Sequence, residues 1–354
     1  MRFVNIKNCK ENMVLATDIF SYKNVILLRS GTILTQVYIN KLKTLGYKGL
    51  FIEDRIMEEI ASDNLISNSV KNEALYTITD IMESRFFSEK INVVGIKKIA
   101  NIIEDIVDQI VRKRNNLYNM ISIKNFDQYT YQHSVDVTIL SILIGKELNL
   151  KRSELSNLGK AAIFHDIGKL FISPNILNKT SYLTKNEFNE IKKHCIMGHD
   201  FLKDSFGENK YICEAALYHH ERYDGLGYPS GLKGEEIPLF ARIISVADTY
   251  DAMTSTRPYR EALPSSEAYE YIMGNKDIHF HADIVDAFLR KVNPYVTGSS
   301  IKLSNGEIGV IHSNNKDFML RPKVKIEKSE NVFDIVCLAT NKNYSSVTIV
   351  ESDV

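Results

Sequence analysis

The sequence has no tryptophan, no C-x-x-C pair, no surplus of charge of either sign and no long apolar run. Its four cysteines, Cys9, Cys195, Cys213 and Cys337, are scattered. That spacing excludes a zinc knuckle built on paired cysteines and provides no disulfide framework. Reduced thiols in a cytoplasm are the simplest reading. Lys+Arg and Asp+Glu both number 44, so broad electrostatic binding to polymeric nucleic acid or to an anionic membrane is not expected. One local cationic pocket for a phosphate remains compatible with that balance. No stretch reaches the ~18 uninterrupted apolar residues of a membrane span, and residues 1–7 lack the apolar core of a signal peptide. The lack of tryptophan carries no functional information.

What is present is an ordinary soluble-protein composition, 44% hydrophobic and 25% charged, over 354 residues, which is more than one average domain. Residues 1–55 read as a small α/β module. Residues 12–20 and 25–28 are aliphatic-rich like strands, Thr35 stands where a helix N-cap would, Gly46 stops that helix, and residues 50–52 close the unit as a strand. Nothing in the module suggests chemistry, so docking or sensing, through a signalling protein partner, is its default role. Residues 56–118 read as a helical linker. In it Ile96, Ile99, Ile103, Ile106 and Ile110 form a heptad-like stripe. Two readings stand for that stripe: a helix packed on the catalytic core, or the seam of a homodimer. Residues 119–295 are mostly helical by pattern. Residues 296–354 read as a small β domain, with a hairpin turn at Ser304-Asn305-Gly306-Glu307, an alternating strand at residues 323–327, and further strands at 333–336 and 347–350.

Six of the nine histidines lie between His133 and His220. Two runs anchor the stretch, His165-Asp166-Ile167-Gly168-Lys169 and His219-His220-Glu221-Arg222-Tyr223-Asp224-Gly225-Leu226-Gly227-Tyr228-Pro229, and a third, centred on Asp248 and Asp251, follows. An isolated His-Asp pair means little, but the set changes the reading. Divalent cations of intermediate softness take imidazole nitrogen and carboxylate oxygen. Two-metal sites hold their ions about 3.5–4 Å apart and clamp the attacking and leaving oxygens of a phosphoryl displacement. His133, His165, Asp166, His194, His219, His220 and Asp248 are enough ligands for such a pair. They come from separate helices by pattern, which suits a site inside a bundle. Chemistry and spacing alone reach a metal-dependent phosphohydrolase.

These runs, with His194 and the segment Asp248-Thr249-Tyr250-Asp251-Ala252-Met253-Thr254-Ser255-Thr256-Arg257-Pro258-Tyr259-Arg260, resemble the HD-GYP family of the HD phosphohydrolase superfamily over about residues 125–290. The resemblance implies an all-helical HD-type catalytic bundle, flanked here by the α/β module and the β domain. It implies a phosphodiesterase of bacterial second-messenger signalling that hydrolyses cyclic di-GMP to linear pGpG or GMP. It also implies two divalent ions, iron or manganese. His133, His165 and Asp248 match ligands of the first metal, His194, His219 and His220 those of the second, and Asp166 the bridge. Lys169 matches the residue that meets the phosphate or protonates the leaving oxygen. Arg257 and Arg260 match the cations that hold the dinucleotide, with Arg260 standing where the family often has lysine. Gly227, Tyr228, Pro229 and Asp127 match positions near the substrate. Asp251 falls with them, or else orients a ligand by sharing a helix face with Asp248. His199 fits no ligand position of the family, and Cys195, Cys213, His279 and His312 read as ordinary structural residues.

The chain departs from the family pattern in two places. Tyr129 stands where some members have a glutamate that helps hold a third metal, which favours two ions over three. Asp277-Ile278-His279-Phe280-His281-Ala282 replaces the usual Gly and Phe-Asp-Pro run, and altered packing rather than lost chemistry is the expectation. The alternatives to a cyclic di-GMP phosphodiesterase are a phosphohydrolase of another cyclic or linear nucleotide and a catalytically weak cyclic-dinucleotide receptor.

Overall fold

Among the described residues three hydrophobic cores form, and the largest is helical. The computed structural model describes residues 2–20, 25–45, 47, 49–53, 65–84, 93–113, 129–206, 209–255, 262–315, 317–329 and 332–352. The first unit comprises β1 (Arg2–Asn5), β2 (Ile19–Phe20), β3 (Ile26–Leu28), α1 (Gln36–Thr44) and β4 (Gly49–Ile52). Thr35 caps α1, its hydroxyl accepting from the Tyr38 amide at 3.3 Å. Two features differ from the sequence reading. Residues 12–20 are not one strand: only Ile19–Phe20 is, with isolated bridges at Val14 and Leu15. And β1, a strand the local pattern did not suggest, pairs antiparallel with β4. Its partner lies far along the chain, so no local signal marks it.

The helical body contains α2 (Asn68–Ser84), α3 (Val93–Arg112), α4 (Tyr129–Glu147), α5 (Arg152–Ile163), α6 (Pro174–Leu177), α7 (Lys185–Lys192), α8 (His194–Phe206), α9 (Lys210–Tyr218), α10 (Leu239–Thr254), α11 (Ser265–Gly274) and α12 (Ala282–Lys291). The isoleucine stripe of α3 faces this same body. Ile99, Ile103, Ile106 and Ile110 are buried in one core with residues of α4 and α5, which leaves those four no open seam for a second chain. Approach at the stripe is close: a Cβ on Gly159 of α5 would meet Ile103 Cγ2 at 2.7 Å. Polar ties lock the same helices. Lys146 of α4 donates to the carbonyls of Ile110 and Lys113 at 2.6 and 2.7 Å, satisfying the end of α3. Lys71 of α2 pairs with the buried Asp136 of α4 at 2.7 Å. Ile103→Ala is therefore expected to cost about 2–5 kcal/mol by opening a cavity, read as a fall in the denaturant midpoint. A sedimentation change without loss of stability would instead mean that the stripe serves assembly.

The last unit is an antiparallel sheet of β5 (Ser300–Leu303), β6 (Ile308–Ser313), β7 (Lys323–Ser329), β8 (Val332–Cys337) and β9 (Ile349–Ser352) in the order β8-β7-β6-β5-β9. Gly306, at φ 89°, turns the β5–β6 hairpin. Along β7 the apolar Val324 and Ile326 are buried while Lys323 and Glu327 are exposed, the period-2 pattern of a half-buried strand. The fold is thus mainly helical with small flanking sheets. Among the described residues no helix is long and apolar enough to cross a membrane.

Candidate metal centre

The helix ends converge inside the bundle. His133 comes from the first turns of α4. α5 stops at Ile163, and His165 and Asp166 occupy the turn before a 3-10 segment, Ile167–Phe171. His194 opens α8, His219 follows the last residue of α9, and Asp248 and Asp251 lie on α10. The 3-10 segment reaches this position because Gly168 lies against the start of α8. A Cβ there would sit 1.9 Å from the His194 carbonyl oxygen and 2.6 Å from the Gly198 amide.

The tautomers are set by the backbone. His165 Nδ1 lies 2.7 Å from the Ala162 carbonyl, His194 Nδ1 2.7 Å from that of Ile191, and His219 Nδ1 2.9 Å from that of Ala216. A neutral imidazole donating through Nδ1 carries its lone pair on Nε2. All three Nε2 atoms then face Asp166. Asp166 Oδ2 stands 3.4 Å from His165 Nε2 and 3.7 Å from His133 Nε2. Its other oxygen, Oδ1, stands 3.4 Å from His194 Nε2 and 3.7 Å from His219 Nε2. Asp248 completes the surroundings: Oδ1 is 3.1 Å from His133 Nε2 and Oδ2 is 3.8 Å from His220 Nδ1. Lys169 makes an ion pair with Asp166 from within the 3-10 segment.

These donors fit divalent cations. Two nitrogens bound to one ion at ~2.1 Å with a tetrahedral angle are about 3.4 Å apart, and His194 Nε2 and His219 Nε2 are 3.3 Å apart. The buried His165 Nε2 and Asp166 Oδ1 make no hydrogen bond among the described residues. Such orphaned groups are costly unless something outside the chain occupies them. Two clusters of ligand atoms result, His133 with His165 and Asp166, and His194 with Cys195, His219 and His220.

The electrostatics hold Asp166, Asp248, His194 and His220 in the form that binds a cation, while His133 is pushed the other way. Burial acts to raise the Asp166 carboxyl, but Lys169 and His165 outweigh it and hold the carboxyl well below the usual range. Burial likewise opposes ionisation of Asp248, and His133 overrides it to hold that carboxyl low. Burial pushes the His194 imidazole down to about 3 and His220 well below its ordinary value. Burial also disfavours charge on His133, yet hydrogen bonds to Asp248 and Asp251 raise it.

A pH dependence follows for the metal-free chain. An unfolded histidine titrates at about 6.5; His194, held down to about 3, and His220, held well below its ordinary value, resist that proton when folded, so stability should fall as pH drops below about 6.5. The depressed Asp166 and Asp248 add stability above about 4 that is lost on further acidification. His133 opposes, contributing stability below about 6.5 that is lost as pH rises through its folded value. The urea midpoint should therefore fall on acidification; a flat midpoint between pH 7 and 4 would contradict this balance.

Asp251, placed by resemblance among the substrate positions, is wholly buried, with Oδ2 2.7 Å from His133 Nδ1 and 3.3 Å from the Ser255 hydroxyl. The three-residue step on α10 directs it, like Asp248, onto His133, where it orients the ring. Asp127, Arg257 and Arg260 lie outside the described residues, as does the Tyr129 side chain. His199 sits on Asp200 at 2.9 Å, away from both clusters.

The loop after His220 is built against the site. Gly227 passes so close to the chain that a Cβ would meet the Glu221 Cα and Arg222 amide at 2.4 Å. The Tyr228-Pro229 bond is cis, and the Tyr228 ring lies 4.8 Å from that of His220. Glu221, unassigned by sequence reasoning, holds this loop: its buried carboxylate accepts from the amides of Ser230, Gly231 and Leu232 at 2.7, 3.0 and 3.1 Å. Its place within the His-His-Glu-Arg run was the available signal. The divergent 277–282 segment braces the same loop, the Ile278 and His279 carbonyls accepting from the Asp224 and Tyr223 amides at 2.9 and 3.0 Å. Lys192 was also missed; its Nζ lies 4.8 Å from the ring centroids of both Phe188 and Tyr228.

Comparison with known proteins agrees with this architecture. The HD domain profile matches residues 115–284. A cyclic di-GMP phosphodiesterase of Pseudomonas aeruginosa is 36% identical over 227 residues, 64% of this chain and 55% of that protein. Another cyclic di-GMP phosphodiesterase, from Thermotoga maritima, is 34% identical over 242 residues, 66% of each chain. The chain thus spans between half and two thirds of these relatives' lengths. Among solved structures, an HDG"Y"P protein from Bdellovibrio bacteriovorus, Bd1817, superposes with a TM-score of 0.54 at 16% identity, covering 81% of this chain and 97% of that one, which supports the fold alone. The profile match over the histidine-rich helices, and relatives of about one-third identity across them, place this chain in the HD domain family, in its HD-GYP branch.

Proposed function

We propose that the chain is a metal-dependent phosphodiesterase that opens cyclic di-GMP to linear pGpG, GMP or both. The observation that carries the reading is Asp166: one carboxylate oxygen faces the His133–His165 pair and the other the His194–His219 pair, the disposition of a bridging ligand. His133, His165, Asp166 and Asp248 would hold one ion, and His194, His219, His220 and Asp166 the second, iron or manganese by donor type. When bound, the ions supply a nucleophile at neutral pH and neutralise phosphate charge. The chain's own residues do the rest. Asp251 keeps His133 in register. Lys169, partly exposed beside Asp166, gives a proton to the departing 3′-oxygen. The Glu221-held loop sets Tyr228 at the rim. Arg257 and Arg260 grip the second phosphate and guanine.

Anaerobic reconstitution with Fe(II) or Mn(II) should yield chelator-sensitive hydrolysis of cyclic di-GMP and two ions per chain by elemental analysis. Binding without turnover would favour a receptor, and turnover only of other nucleotides a different phosphohydrolase. Arg257→Ala should raise KM for cyclic di-GMP ten- to a hundred-fold, since one charge-assisted hydrogen bond is worth about 1.5–3 kcal/mol, with metal content unchanged. Hydrolysis of bis-(p-nitrophenyl) phosphate, which lacks the second phosphate and the guanines, should change little. Equal loss on both substrates would mean that Arg257 supports the centre itself.

A further inference from the structure

We propose that Cys195 is a sulfur ligand of the second metal ion, making the two ions chemically unequal. The inference rests on the metal-centre reading above and adds a donor to it. Cys195 is wholly buried at the second position of α8, beside His194. Its Sγ lies 3.5 Å from His194 Nε2, the nitrogen turned toward Asp166, not the one held by the backbone. An ion bound by sulfur at ~2.3 Å and nitrogen at ~2.1 Å at a tetrahedral angle separates them by about 3.6 Å. Ligand atoms of His194, Cys195, His219 and His220 all lie within 4.8 Å of one another. Independently, the buried Asp166 Oδ1, which has no hydrogen-bond partner among the described residues, is aimed at this same cluster, 3.4 Å from His194 Nε2. The other cluster, His133, His165 and Asp166 with Asp248, offers nitrogen and oxygen only. Coordination forms one metal–sulfur bond, and the thiol proton leaves to buffer.

A thiolate is the softest donor available and favours iron, cobalt or zinc over manganese. The second site should therefore discriminate against Mn(II) more strongly than the first. Filling the full-length protein with Co(II) should produce a near-ultraviolet sulfur-to-cobalt charge-transfer band. The band should vanish in Cys195→Ser and Cys195→Ala and persist in Cys213→Ser, whose sulfur lies in the core away from the cluster. By chelator competition, Cys195→Ser should lower the second-site affinity for Zn(II) at least about tenfold, the lower end of the effect of losing even a supporting group around a metal, and change that for Mn(II) about twofold or less. Two bound cobalts without the band in the wild-type protein, a band surviving in Cys195→Ser, or an unchanged Zn(II)/Mn(II) ratio would each overturn the assignment while leaving the two-metal reading intact. Failure to bind two ions at all would overturn that reading first. If both variants fail to fold, X-ray absorption on the wild-type protein decides: a sulfur scatterer near ~2.3 Å supports the assignment, and a shell of nitrogen and oxygen alone overturns it.

Discussion

Asp166→Ala is expected to remove both metal ions and to lower cyclic di-GMP hydrolysis by about a thousandfold or more, while the helical circular dichroism stays close to wild type. The expectation comes from position. Asp166 is buried, and each of its oxygens faces a different pair of histidines. Loss of the carboxylate takes one donor from each cluster and leaves like-polarity imidazoles facing a void. If the ions supply several kcal/mol of transition-state stabilisation, losing them amounts to about three powers of ten or more. The helices should persist because their packing is apolar and lies around the site. Asp166→Asn preserves shape and tests charge separately. Retention of two ions with full activity in either variant would remove the bridge from the mechanism.

Gly168→Ala should be nearly as damaging, although it adds one methyl group and touches no ligand side chain. The added carbon would sit 1.9 Å from the His194 carbonyl oxygen, and a backbone carbonyl cannot swing aside like a side chain. Either the 3-10 segment carrying Asp166 and Lys169 retreats from α8, or α8 moves with His194. Both outcomes pull the two clusters apart. A stability loss of about 1–3 kcal/mol or more is expected from overpacking, with metal affinity falling in parallel. Gly274→Ala is the matched control. It ends α11 with open space around it, so replacement should be neutral or stabilise slightly through the unfolded chain. Comparable losses in both variants would mean that close approach at Gly168 is not what positions the site.

Several features were legible in the sequence because they are local. The α1 N-cap at Thr35, the apolar stripe of α3, the β5–β6 turn and the alternation along β7 each depend on residues a few positions apart, and hydrogen-bond periodicity acts over that range. The histidine and aspartate runs named the candidate donors for the same reason: order and spacing are properties of the chain. Where the reading departed from the structure, the deciding partner lay far along the chain. β1 pairs with β4 across more than forty residues. In the α3 stripe, ambiguous by itself, Ile99, Ile103, Ile106 and Ile110 are buried against the helical body, where Gly159 of α5 allows a close approach to Ile103.

The site divides along the same line. By itself, the sequence pointed to the histidines and aspartates that could bind cations and showed that a short glycine-containing loop follows His220, since donor chemistry and chain connectivity are intrinsic to the residues. Only the tertiary structure decided that Asp251 lies against His133, that Glu221 clamps the loop by three amides, that the oxygens of Asp166 divide between two histidine pairs, and that the Cys195 sulfur lies 3.5 Å from His194 Nε2. Those relations depend on rotamers and helix ends brought within about 4 Å by packing, and the direction of a side chain is fixed by what surrounds it rather than by its neighbours in sequence.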